Sequence, residues 1–185
     1  SSNVVAAQLG HNAIRTSVIA AAIGLIVLCI FMIVSYRIPG VVATLALWIY
    51  TALVLVLVSV YDITLTLPGL AGIILGIGMA VDANVVIYSR IREEIGAGRS
   101  VESAIQAGYS KATSAIVDGN ITTLIAAVVL YIFGTGPIKG FAMTLALGIV
   151  VSMFTALVIT RVIMKLFYNF GITAVSYTHL TLPTT

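Results

Sequence analysis

The chain has 185 residues, of which only nine are Lys or Arg and six Asp or Glu; 61% of it is hydrophobic and its mean hydropathy is +1.18. A soluble domain carries about 25% charged residues, against 8% here, and a globule of this size cannot hide so much apolar surface from water. That excludes a soluble enzyme, a disordered chain and a disulfide scaffold. A net charge of +3 with no basic run gives nucleic acid nothing to track. The one cysteine, Cys29, lies in an apolar run and supports neither a disulfide framework nor a metal site. An integral membrane protein remains.

The charges divide the chain into membrane-sized lengths. The uncharged runs hold 21 residues between Arg15 and Arg37, 24 between Arg37 and Asp62, 19 between Asp62 and Asp82, 20 between Asp118 and Lys139, and 21 between Lys139 and Arg161. A helix needs about 20 apolar residues to cross a bilayer. These runs predict five spans, over residues 17–36, 41–61, 68–88, 115–133 and 140–160. Pro39-Gly40 predicts a tight turn between the first two, Pro68 suits the first turn of the third, and Gly134-Thr135-Gly136-Pro137 breaks the chain before the fifth. The fold class is thus an all-α membrane bundle of five helices.

Residues 90–118 differ, holding eight of the charges. Ser100 reads as a helix N-cap after Gly96-Ala97-Gly98. Val101, Ile105, Gly108/Tyr109, Ala112 and Ile116 then recur at helical spacing. An amphipathic helix at the membrane surface is expected within a cytoplasmic loop over 90–114. The Lys/Arg bias sets orientation. Arg37, Arg90, Arg92, Arg99, Lys111, Arg161 and Lys165 fall on one side, and only Arg15 and Lys139 on the other. This puts the loop and the C-terminus in the cytoplasm and the N-terminus outside, which implies further chain upstream. Residues 1–16 are read as a lead-in and 17–173 as the bundle. Residues 174–185, AVSYTHLTLPTT, are uncharged, Thr-rich and aperiodic, and are read as a non-native tail.

The polar groups within the spans carry the functional reading. Asp82 lies eight residues before Arg90, about 12 Å deeper along the helix axis. A carboxylate near the bilayer centre costs about 2.5–3.5 kcal/mol or more, and such residues usually mark function. Loss of water favours the neutral form, so this side chain is placed to take up and release protons. Asp118 opens the fourth span, where a carboxylate also suits a helix N-terminus. Val81-Asp82-Ala83-Asn84 and Val117-Asp118-Gly119-Asn120 repeat one pattern at the cytoplasmic ends of neighbouring spans. With Thr122 and Thr123 they are expected to form one polar seam of Asp82, Asp118, Asn84, Asn120 and the two threonines. Calcium is rejected, since the glycine and distal glutamate of an EF-hand are missing. Gly72, Gly76 and Gly78 are expected to let the third span pack closely on a neighbour and so hold Asp82 against it. No Lys or Arg lies inside a span, so an ionised Asp82 has no counter-charge within this chain.

At these residues the sequence resembles a known family. GLAGIILGIGMAVDANVVIYSRIREE, followed by AGYSKATSAIVDGNITTLIAAVVLYIFGTGPIKGFAMTLALGIVVSMFTA, is similar to the C-terminal membrane half of the SecD proteins, of the SecD/SecF family in the RND superfamily. LGHNAIRTSVIAAAIGLIVLCIFMIVSYRIPG resembles their entry into the second span. The SecF branch carries an Asn-Asp pair where this chain has Val-Asp-Ala-Asn, which favours the SecD branch. The resemblance implies spans two to six of a six-span half, preceded by a first span and a periplasmic domain. It implies a transport subunit, not an enzyme, with no cofactor, that uses the proton-motive force to drive preprotein export across the bacterial or archaeal cytoplasmic (inner) membrane. The implied partners are a SecF-type subunit, the Sec translocon of SecY, SecE and SecG, the preprotein and the lipid bilayer, with no nucleic acid. Asp82 matches the family's intramembrane aspartate and Asp118 one that recurs at the start of the next span; both are implied in proton coupling. Tyr88-Ser89 depart from a Phe-Glu pair common in relatives. The competing readings are an RND-type small-molecule or lipid transporter and, more remotely, an intramembrane aspartyl protease with Asp82 and Asp118 as its dyad.

Overall fold

In the computed structural model, residues 2–169 are described, with side chains from Asn12 to Tyr168. All regular structure among them is helical. The elements are α1 (Ser2–Tyr36), α2 (Ile38–Val60), α3 (Leu67–Gly96), α4 (Val101–Phe133) and α5 (Pro137–Phe154), which continues through a π turn (Thr155–Ile159) into α6 (Thr160–Asn169). Five stretches are long and apolar enough to cross a membrane. Residues 174–185 lie outside the described residues.

Helix ends follow local chemistry. The Thr66 hydroxyl caps α3 by accepting from the Gly69 amide at 3.1 Å, with Pro68 in the first turn as expected. Ser100 caps α4, accepting from the Ser103 amide at 3.5 Å. The turn between α1 and α2 falls elsewhere than expected. Its pivot is Arg37, at φ 54°, and Pro39-Gly40 sit inside the first turn of α2. Gly40 is there because a Cβ would run into the backbone of Met32 and Ile33: the two helices cross with almost no gap.

The expected surface helix and loop over 90–114 are also corrected. Residues 90–96 prolong α3, 101–114 begin α4, and only residues 97–100 turn between them. At 1.5 Å per residue, the 30 residues of α3 span about 45 Å, against a hydrocarbon core of about 30 Å. The hairpin therefore stands out of the membrane. The stripe read from sequence is real, since Ile105, Gly108, Tyr109, Ala112 and Ile116 are buried, but it packs on α3. Gly108 lies so close to Ile91 that a Cβ would strike its backbone. Glu94, 4% exposed, receives Arg99 at 2.7 Å and Lys111 at 2.5 Å, tying both arms to the turn.

Helix α3 is central, touching α1, α2, α4 and α5. Its Gly72 and Gly76 face α5, where Gly72 abuts Phe141 and Thr144, and Gly76 opposes Gly148. The Tyr50 ring from α2 closes the same junction. Helices α1 and α4 expose apolar stripes such as Ile19, Ile23, Ile26 and Ile30, or Ile121, Ile125, Val128 and Ile132. In water these would be a liability; against lipid they are the expected surface. The Tyr36 and Tyr88 rings meet at a tilt of 49° with centroids 5.6 Å apart, with Arg92 over Tyr36, at one end, and Lys139 lies over Tyr131 at the other. Aromatic residues thus mark both boundaries.

Candidate functional site

Asp82 sits on α3 six residues before Tyr88, inside the span. It is exposed on the surface of this chain and opens into a crevice of about 230 Å³ between α3 and α4. Met79, Val86, Ile116, Gly119, Asn120 and Thr123 are among the walls. The glycine packing therefore does not press Asp82 against a neighbour. Gly72 and Gly76 point to α5, whereas Gly78 and Asp82, one helical turn apart, share the open face. A Cβ at Gly78 meets nothing within 4 Å, so this glycine packs against nothing.

The expected seam divides in three, because two residues along a helix is about 200° of rotation. Asp82, Asn120 and Thr123 line the crevice. Asp118 turns outward and accepts from the Ser114 hydroxyl at 3.4 Å, while Thr122 donates to the Asp118 carbonyl at 3.1 Å. Asp118 is not among the crevice walls, so no carboxyl pair stands in it. Asn84 faces the bundle interior, 2% exposed, and its Oδ1 accepts from the Thr160 hydroxyl at 3.1 Å.

That last contact was not foreseen. Thr160 follows the π turn, and its hydroxyl also lies 3.1 Å from the Thr155 carbonyl. Thr155 donates to Val151 at 2.8 Å and Ser152 to Ile149 at 2.8 Å, so the buried polar groups beside the π turn are satisfied locally. A π turn widens the helix by one residue and often lies near function. Nothing in the apolar run 154–159 signals it.

In the crevice, Asn120 Nδ2 is engaged with the Ile116 carbonyl at 2.8 Å and Thr123 with the Gly119 carbonyl at 3.2 Å. Asp82 takes part in no ion pair among the described residues. The arrangement is a single carboxyl at span depth, flanked by an amide and a hydroxyl, on a face this chain leaves uncovered. Two aligned carboxyls are not assembled among the crevice walls.

Fold and site together define a multi-pass helical membrane protein with an aspartate, Asp82, at span depth in its central helix. The model of the family described as protein export membrane protein SecD/SecF, C-terminal, matches residues 1–169. The chain belongs to this family. It is 51% identical over 160 residues to the protein translocase subunit SecD of Synechocystis, covering 86% of this chain and 34% of that protein. It is 53% identical over 163 residues to SecD of Leptotrichia buccalis, covering 88% and 40%. The crystal structure of SecDF, a translocon-associated membrane protein from Thermus thermophilus, superposes with a TM-score of 0.86 at 41% identity, covering 89% of this chain and 23% of that one. The chain thus spans about a third of the length of these curated relatives.

Proposed function

We propose that this chain is the proton-coupling membrane part of a Sec protein-translocase auxiliary subunit that uses the proton-motive force to drive preprotein export. The observation that carries this reading is Asp82: a carboxyl at span depth, without an ion pair among the described residues, in an open crevice of a SecD/SecF-family bundle. Each proton moved is worth about 2.3 kcal/mol per 100 mV, enough to bias a conformational equilibrium of a few kcal/mol. Asp82 takes a proton from outside, becomes neutral and lets the spans shift; release inward resets them.

Asp118, on the outward face of α4 beside the crevice residues Gly119 and Asn120, is the secondary site of proton exchange. The uncovered α3–α4 face is where a SecF-type subunit docks and brings the counter-charge that Asp82 lacks here. The Sec translocon of SecY, SecE and SecG and the emerging preprotein complete the assembly; the Thermus relative is itself described as translocon-associated. The Lys/Arg bias supports a cytoplasmic-membrane orientation with the α3–α4 turn and the C-terminal end inside. The test is Asp82→Asn in the full-length protein: proton-driven export fails while membrane insertion and SecF association persist. Normal export in that variant ends the mechanism.

A further inference from the structure

A second crevice lies away from Asp82, at the membrane boundary that carries the α3–α4 turn. It measures about 350 Å³ and is walled by Gln106, Tyr109, Ser110 and Thr113 of α4 and Arg161 of α6. The Arg161 guanidinium lies over the buried Tyr109 ring, 5.9 Å from its centroid. Among the described residues neither Arg161 nor Lys165, one turn on, forms an ion pair. Lys165 lines an adjoining crevice that shares Gln106 and also holds Glu102 and Tyr168. Beside this basic edge, Val158, Val162 and Leu166 form an apolar stripe, each about half exposed. Helix α6 thus shows three faces: Thr160 and Met164 buried in the bundle, Arg161 and Lys165 toward the crevice, and the stripe outward.

We propose that this crevice binds the headgroup of an anionic glycerophospholipid, its phosphodiester on Arg161 with Lys165 close by and its acyl chains running from Val158 toward the exposed Phe154 and the bilayer centre. The charges are complementary, a planar guanidinium suits phosphate oxygens, and basic pockets between helices at this level take anionic headgroups. A free phosphate would satisfy Arg161 but leave the adjacent apolar stripe unused, so the lipid is the occupant. The site stands whatever Asp82 does; orientation only decides that the leaflet is the inner one.

The experiment is native mass spectrometry of the full-length protein titrated with phosphatidylglycerol or phosphatidylcholine. Wild type retains phosphatidylglycerol preferentially, and Arg161→Ala/Lys165→Ala lowers that preference about thirtyfold. Arg90→Ala, which removes a charge from the same end of the bundle, leaves it within about threefold. Ser110 is exposed, so Ser110→Glu folds; it repels the headgroup and lowers retention, whereas Ser110→Ala does not. Excess inorganic phosphate fails to displace the lipid. Retention indifferent to the double variant and to Ser110→Glu, an equal loss in Arg90→Ala, or displacement by phosphate each overturns the proposal.

Discussion

Asp82 and Asn84 stand two residues apart on α3 and face opposite ways. Asp82 opens into the α3–α4 crevice, while Asn84 accepts the Thr160 hydroxyl across 3.1 Å inside the bundle. One short stretch of helix therefore joins the titratable group to the π turn.

Thr160→Val takes the donor from the buried Asn84 amide oxygen, and Asn84→Leu takes that acceptor from the Thr160 hydroxyl. Thr160→Val and Asn84→Leu are each expected to destabilise the bundle by about 1–3 kcal/mol. A double-mutant cycle gives a coupling of about 0.6–1.7 kcal/mol, the range known for hydrogen bonds between membrane helices. Thermal unfolding in detergent measures both, and additive effects would show that the bond carries no coupling.

The glycines of α3 separate by face. Gly76→Ala drives a Cβ into the Tyr50 hydroxyl near Gly148 and is expected to cost about 1–3 kcal/mol. Gly78→Ala meets open space and is neutral or stabilising by up to about 1 kcal/mol. The Tyr50 hydroxyl is buried and has no hydrogen-bond partner among the described residues. Tyr50→Phe should therefore be tolerated and should partly rescue Gly76→Ala. Melting temperatures of wild type, the three single variants and the Tyr50→Phe/Gly76→Ala double variant decide it; equal loss at Gly76 and Gly78 would contradict the packing described.

Much of this fold was legible because charge is so scarce. The gaps between charged residues set the five spans, Pro68 and Ser100 marked helix starts, and the stripe from Ile105 to Ile116 marked a buried face. What misled was treating Asp-x-Asn as a cluster: helical rotation sends the two side chains to opposite faces, so Asn84 and Asp118 leave the crevice. The charged run 90–118 read as a surface segment because its burial depends on Ile87 and Ile91 of α3, a tertiary contact. The pivot at Arg37 reflects close crossing at Gly40, and the π turn has no composition of its own.

The hairpin tip should be acid-sensitive. The hydrogen bond from Lys111 holds the Glu94 carboxyl below its ordinary range; burial opposes this, and the charges of Lys111 and Arg99 reinforce it. A depressed value in the folded state stabilises the hairpin above the ordinary carboxylate range. That stabilisation is lost as pH falls through the lowered value. Amide protection factors over 91–96 and 104–112, taken relative to the slower intrinsic exchange in acid, should fall as pH drops, and Glu94→Gln should flatten the dependence. An unchanged pH profile in Glu94→Gln would assign the effect elsewhere.

The proposed proton-coupling role of Asp82 is tested most directly in inverted membrane vesicles, by following export of a preprotein with and without an uncoupler. Wild-type vesicles should slow when the proton gradient collapses, and Asp82→Asn vesicles should be slow already and indifferent to the uncoupler. Asp82→Asn vesicles that export at the wild-type rate and slow with the uncoupler as wild type does would contradict it.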